Sequence, residues 1–201
     1  MSLVSFLVPL LALLSLYKAH AGDPDILTDF DLPLGSANIT GDSFTYTGLR
    51  AFIGANPSNF TVFKASMAEL PALNGQSVSY AALYYPPGAV NPLHTHPRGS
   101  ELLFLVLGSL QVGFVNTTNY LFNQTLQAGD MFVFPKGLVH YQYNADATSP
   151  AIALSAFGSA AAGTVSIPTS VFNTGIDDPI LAASFNTDDG TIDKLKAGLS
   201  H

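Results

Sequence analysis

A mainly β fold closed by a C-terminal helical lobe is predicted by three observations. Short apolar or alternating runs recur between Phe44 and about Ile167. Gly, Pro, Asn and Asp separate them, as at Pro86-Pro87-Gly88, Gly108, Gly129-Asp130 and Pro135-Lys136-Gly137. After Pro168 the spacing becomes helical and acids cluster where helices would begin. Many short strands at this interval build a sandwich or barrel.

Taken in order, residues 1–21 read as a secretory signal: an apolar stretch over 6–17, then Ala19-His20-Ala21 before a cut at Gly22. The stretch is too short to span a bilayer. Residues 22–45, rich in Asp, Pro, Gly and Ser, predict an extended arm packed on the domain. The β region, 46–167, holds strands expected over 46–53, 60–65, 77–85, 101–107, 110–115, 120–126, 131–134, 138–143 and 152–157, with a short helix over 65–70. Helices are expected over 168–172, 179–185 and 191–199. Asp177-Asp178 and Asp188-Asp189 suit the positive end of the helix dipole. This segment, 168–201, reads as an oligomerisation clasp, with a lid over the open end of the β domain as the alternative.

Composition narrows the function. Hydrophobic residues reach 48% and charged residues only 10%, so apolar surface must be hidden and an oligomer is expected. Beyond residue 21 the chain carries six Lys/Arg against fourteen Asp/Glu, a net −8 with neutral histidine. Such a chain suits neither nucleic acid nor a membrane surface. It has no cysteine, which excludes disulfides and thiolate ligands. Four N-x-[ST] sequons, at Asn38, Asn59, Asn116 and Asn123, fit a secretory route.

All histidines in the body of the chain fall into one pattern with one glutamate. Gly88 to Gly108 reads G-x5-H-x-H-x4-E-x6-G, placing His94, His96 and Glu101. Gly129 to Asn144 reads G-x5-P-x-G-x2-H-x3-N, placing His140. A lone H-x-H on a strand is more often a surface or core pair than a ligand pair. Here two spaced motifs meet at every specified position, and together they supply a complete metal shell. Residues two apart on a strand share a face, so His94 and His96 can reach one point. Glu101 sits at an odd offset, and Pro97 and Gly99 supply the break that lets it turn inward. Gln142, two past His140, should share its inward face, and Val112 and Phe114 are expected to wall the cavity. Three imidazoles and one carboxylate leave two positions open on an octahedral ion. That suits Mn²⁺ or Fe²⁺, while Zn²⁺ and Cu²⁺ would bind tightly by affinity alone.

Both motifs resemble the two conserved blocks of the cupin superfamily. The strings His94-Thr95-His96-Pro97-Arg98 and Phe134-Pro135-Lys136-Gly137-Leu138-Val139-His140 are similar to plant germins and germin-like proteins, as are Gly22-Asp23-Pro24-Asp25 and Pro71-Ala72-Leu73-Asn74-Gly75. The resemblance implies a cupin β-barrel (jelly-roll) and a manganese ion on His94, His96, Glu101 and His140. It also implies secretion to the apoplast or cell wall and a hexamer built as a trimer of dimers. Three activities come with it: superoxide dismutation, binding of an auxin-like carboxylate or a storage role, and oxalate oxidation. Asn91 and Gln142 would be the catalytic amides, positioning a small anion. Oxalate-oxidising germins use two asparagines, one three residues before the first ligand histidine and one ten residues earlier. Asn91 matches the first, but the second falls on Ala81. The two cysteines that tie the arm of germins are also missing. Arg98 reads as one half of a structural ion pair.

Overall fold

The computed structural model describes residues 22–33 and 38–199; the expected signal, 1–21, lies outside them. Ten strands form two antiparallel five-stranded sheets that face one another. One has the order β1-β2-β9-β4-β7: β1 Thr61–Ala65, β2 Ser79–Tyr85, β9 Ala151–Phe157, β4 Glu101–Leu107 and β7 Met131–Phe134. The other has the order β10-β3-β8-β5-β6: β10 Val165–Ser166, β3 Val90–Thr95, β8 His140–Tyr143, β5 Ser109–Val115 and β6 Leu121–Gln127. This is a jelly-roll sandwich, as the run spacing predicts. The β4 strand shows why it forms: Glu101, Leu103 and Leu105 are buried while Leu102, Phe104 and Val106 face outward, a clean period of two. Leu83, Tyr85, Leu103, Leu105, Leu110, Val112, Leu126 and Phe134 fill the space between the sheets.

Four expectations need correction. Residues 46–53 are not a strand; Gly48–Phe52 is a 3-10 turn. Tyr46, Leu49 and Phe52 are three apart and all half-buried, which is the 3-10 period, and the Phe52 ring meets Phe63 at 5.4 Å. No helix forms over 65–70. Leu70 N donates once to Ser66 O, and Pro71 opens a separate 3-10 turn. Pro92 hides β3 from a reading by runs, because proline demotes a strand; here it sits in a register irregularity between Asn91 and His94. Val112 belongs to the central core, and neither it nor Phe114 lines the cavity.

After β10 come α1 (Ile167–Phe172), α2 (Asp178–Phe185) and α3 (Asp189–Gly198). Asp188 caps α3 through Thr191 N at 2.9 Å. Leu181, Ala182 and Ile192 make their common core, with Val171 and Phe172 against it. The arm is held by two carboxylates, Asp23 and Asp31, the latter accepting from Asn74 Nδ2 at 2.5 Å. Asp23 accepts from Ser159 Oγ at 2.5 Å and Ala160 N at 2.6 Å, while its own N–H donates to Ser77 Oγ.

Candidate metal centre

The four predicted ligands meet at one point. One donor atom from each of His94, His96, Glu101 and His140 lies within 4.8 Å of every other, and all four residues are buried. The odd offset of Glu101 has a topological cause. His94 is on β3 of one sheet, His96 lies just beyond that strand, and Glu101 opens β4 in the facing sheet. Residues 97–100 carry the chain across, so the ligands converge from both layers. His140, on β8, is the direct cross-strand partner of His94. The second motif locks to the first where Gly137 N donates to His96 O at 3.0 Å.

Hydrogen bonds decide which ring nitrogens face the centre. His94 Nδ1 lies 2.7 Å from Pro92 O, His96 Nδ1 2.5 Å from Gly163 O, and His140 Nδ1 2.8 Å from Leu138 O. A carbonyl only accepts, so each Nδ1 carries the proton. In a neutral ring the Nε2 lone pair then points inward. His96 Nε2 and His140 Nε2 lie 3.1 and 3.3 Å from Glu101 Oε2. Lone pairs would face a carboxylate unless the rings gain protons or a cation lies between them. Burial and the neighbouring His140 push His94 down to about 4, so it is neutral near pH 7. One divalent cation would satisfy the whole donor set, and the residues present fit it.

Behind the ligands lies a polar layer. Ser155 Oγ donates to Glu101 Oε1 at 2.6 Å. Burial alone would raise the Glu101 carboxyl, but its close contacts with His140, His96 and Ser155 outweigh it and hold it at about 2. Asn91 Nδ2 donates to Gln142 Oε1 at 2.5 Å, and these residues are cross-strand partners. Gln142 shares the buried inward face of His140, as expected, and its Nε2 approaches Glu101 Oε1 at 3.5 Å. The irregularity after Asn91 lets residues three apart both face the centre. Tyr85 Oη reaches Gln142 Oε1 at 3.4 Å; burial, then the Glu101 charge, raises this phenol well above its usual range. Sequence reasoning missed Ser155 and Tyr85. Ser155 is on the buried face of β9, and only the pairing of β9 with β4 brings it to Glu101; Tyr85, on β2, meets Gln142 only because the two sheets face one another.

A cavity of about 450 Å³ opens onto the cluster. Phe60, Val62, Ala81, Leu83 and Phe157 give it apolar walls, and Asn91, Lys64 and Arg98 add polar groups. Arg98 forms no ion pair among the described residues; its Nε donates to Ala161 O at 2.5 Å.

The cupin family description matches residues 54–193. The chain is 65% identical over 188 residues to "Germin-like protein 9-3" of Oryza sativa subsp. japonica, covering 90% of this chain and 87% of that one. Among solved structures, one from work on the mechanism of oxalate oxidase superposes with a TM-score of 0.79 at 29% identity, covering 89% of this chain and 98% of that chain. A recombinant oxalate oxidase in complex with glycolate has a TM-score of 0.77 and 30% identity over the same shares.

Proposed function

The chain belongs to the germin-like proteins of the cupin family, and from that premise we propose that it is a secreted manganese-dependent oxidoreductase of superoxide dismutase type, working in the apoplast or cell wall. The observation that carries this reading is the convergence of three Nε2 lone pairs and one ionised carboxylate on a single buried point. A manganese ion on His94, His96, Glu101 and His140 would supply one-electron chemistry, oxidising one superoxide and reducing the next. Asn91, on the cavity wall and bonded to Gln142, orients the small anion. Gln142 keeps that amide and Glu101 in register. Glu101 stays ionised and His94 neutral near pH 7. Neither therefore donates a proton, and the two consumed per turnover come from solvent through the open end of the cavity. Ala81 brings no amide to the wall, which counts against oxalate as substrate: a lost hydrogen bond to a charged group is worth about 1.5–3 kcal/mol.

A second reading is binding of an auxin-like carboxylate, or a storage or wall role. It is favoured by a cavity far larger than superoxide and mostly apolar. A trimer-of-dimers hexamer is supported by the outward apolar side chains of β4 and β7, Leu102, Phe104, Met131 and Val133, which pair across the two strands. Secretion rests on the leader and on sequons whose Asn38, Asn59 and Asn123 are exposed. No described helix is long and apolar enough to cross a membrane.

The test is to purify the secreted protein, measure its metal, and assay superoxide consumption before and after chelation. Activity that tracks manganese content supports the reading. Activity that survives complete removal of the metal contradicts it.

A further inference from the structure

The cavity places one cation directly across the strand pair from Ala81. The pairing register puts Lys64 of β1 directly across from Ala81 of β2, and Ala81 directly across from Ser155 of β9. Direct partners share a face, so the three form one row, of which Lys64 and Ala81 line the cavity and Ser155 lies buried behind it. Ser155 ends that row at the metal centre, 2.6 Å from Glu101. Two strand spacings, about 10 Å, separate the backbones of Lys64 and Ser155. A lysine carries its ammonium on a flexible four-carbon stem, and the residue between Lys64 and Ser155 in this row is Ala81, whose side chain is only a methyl group. The ammonium can therefore lean over Ala81 toward the ligands.

Charge singles out the same residue. Among the described residues, Glu101 is the one carboxylate lining the cavity, and Lys64 and Arg98 are its Lys/Arg. Arg98 is committed to the 161–163 loop: its Nε bonds Ala161 O, and its guanidinium lies where a side chain on Gly163 would be. The Glu69 carboxyl, held low chiefly by Ser66 and to a lesser degree by the Lys64 charge, has its Oε2 taken by Ser66 N and Ser66 Oγ at 2.9 and 2.6 Å. Beside Lys64 run the apolar side chains of Phe60, Val62 and Leu83.

We propose that Lys64 is a specificity-determining residue: its ammonium supplies the anion contact that Ala81 cannot make, and it selects an organic carboxylate whose apolar body lies on Phe60, Val62 and Leu83. The carboxylate sits between the ammonium and the ligand cluster. This deepens the metal-centre reading by adding an occupant to the same site.

The probes are phenylacetate, its neutral analogue phenylacetamide, and acetate, titrated by calorimetry into the full-length secreted protein and its Lys64→Met and Lys64→Arg variants. Metal is quantified in each sample. Phenylacetate should bind Lys64→Met about tenfold more weakly than the parent, with Lys64→Arg recovering most of the loss. Phenylacetamide should bind parent and variant alike, acetate should bind the parent more weakly than phenylacetate, and metal content should not change. Titrations run as purified and after chelation, so the parent-to-variant ratio judges Lys64 in either state. Equal phenylacetate affinity in parent and Lys64→Met, or no phenylacetate binding by the parent, overturns the proposal. Metal content and superoxide assays judge the metal-centre reading separately.

Discussion

The Ser155 hydroxyl makes a contact that motif spacing does not show, and it bears directly on the ligand Glu101. Partners behind metal ligands typically control affinity by about 10–100-fold. Ser155→Ala is therefore expected to weaken metal retention by about that factor, read by competition with a chelator. His94→Ala or His140→Ala should empty the site, whereas Asn91→Ala should keep the metal and change only turnover. Acid should loosen the chelated fold. His94 falls from its ordinary 6.5 to about 4 in the fold. Between those values the unfolded chain takes up a proton that the fold refuses, so stability is lost as pH drops through that window. Glu101 adds a second loss of the same sign from 4.5 down toward 2. Thermal midpoints of chelated protein should decline from pH 6.5 to 4, and less steeply in His94→Gln. A midpoint flat with pH in the parent would contradict the assignment. The four ligands were legible because their chemistry is rare and their spacing regular. Ser155 and Tyr85 were not, because a serine and a tyrosine on alternating strands have no signature until strand pairing brings them beside Glu101.

Strands carry three of the four ligands, and a loop aims the fourth. Gly163 sits at φ +71, and its carbonyl accepts from His96 Nδ1 at 2.5 Å. Gly163→Ala is expected to cost about 1 kcal/mol and to weaken metal retention. Gly175→Ala, at a site with no neighbouring atoms, should do neither; paired melting and metal measurements check both. The arm offers a second case. Without cysteines it is anchored by Asp23 through Ser159 and Ala160. Asp23→Ala should destabilise by about 1.5 kcal/mol and expose residues 22–33 to limited proteolysis. Strands such as β4 were readable from period-two alternation, and the helices α2 and α3 from their leading acids. Residues 46–53 misled because a period of three passes for a strand over so short a run. β3 was obscured because Pro92 occupies the irregularity that aims Asn91 and His94 together.

At the scale of the whole molecule, the outward face of β4 and β7 is more apolar than a monomer needs. Phe104 opposite Met131 and Leu102 opposite Val133 form an exposed apolar patch at a sheet edge. Sedimentation should show a hexamer, and Met131→Glu combined with Val133→Lys should lower the mass. A parent that sediments as a monomer would contradict that assembly. The assembly matters less than the centre, because each chain brings all four ligands itself. Elemental analysis of the homogeneous secreted protein, beside its His140→Ala variant, tests the central claim most directly. A single manganese ion per chain in the parent and none in the variant is the expected result. A parent without any transition metal, or a variant that keeps as much as the parent, would contradict it.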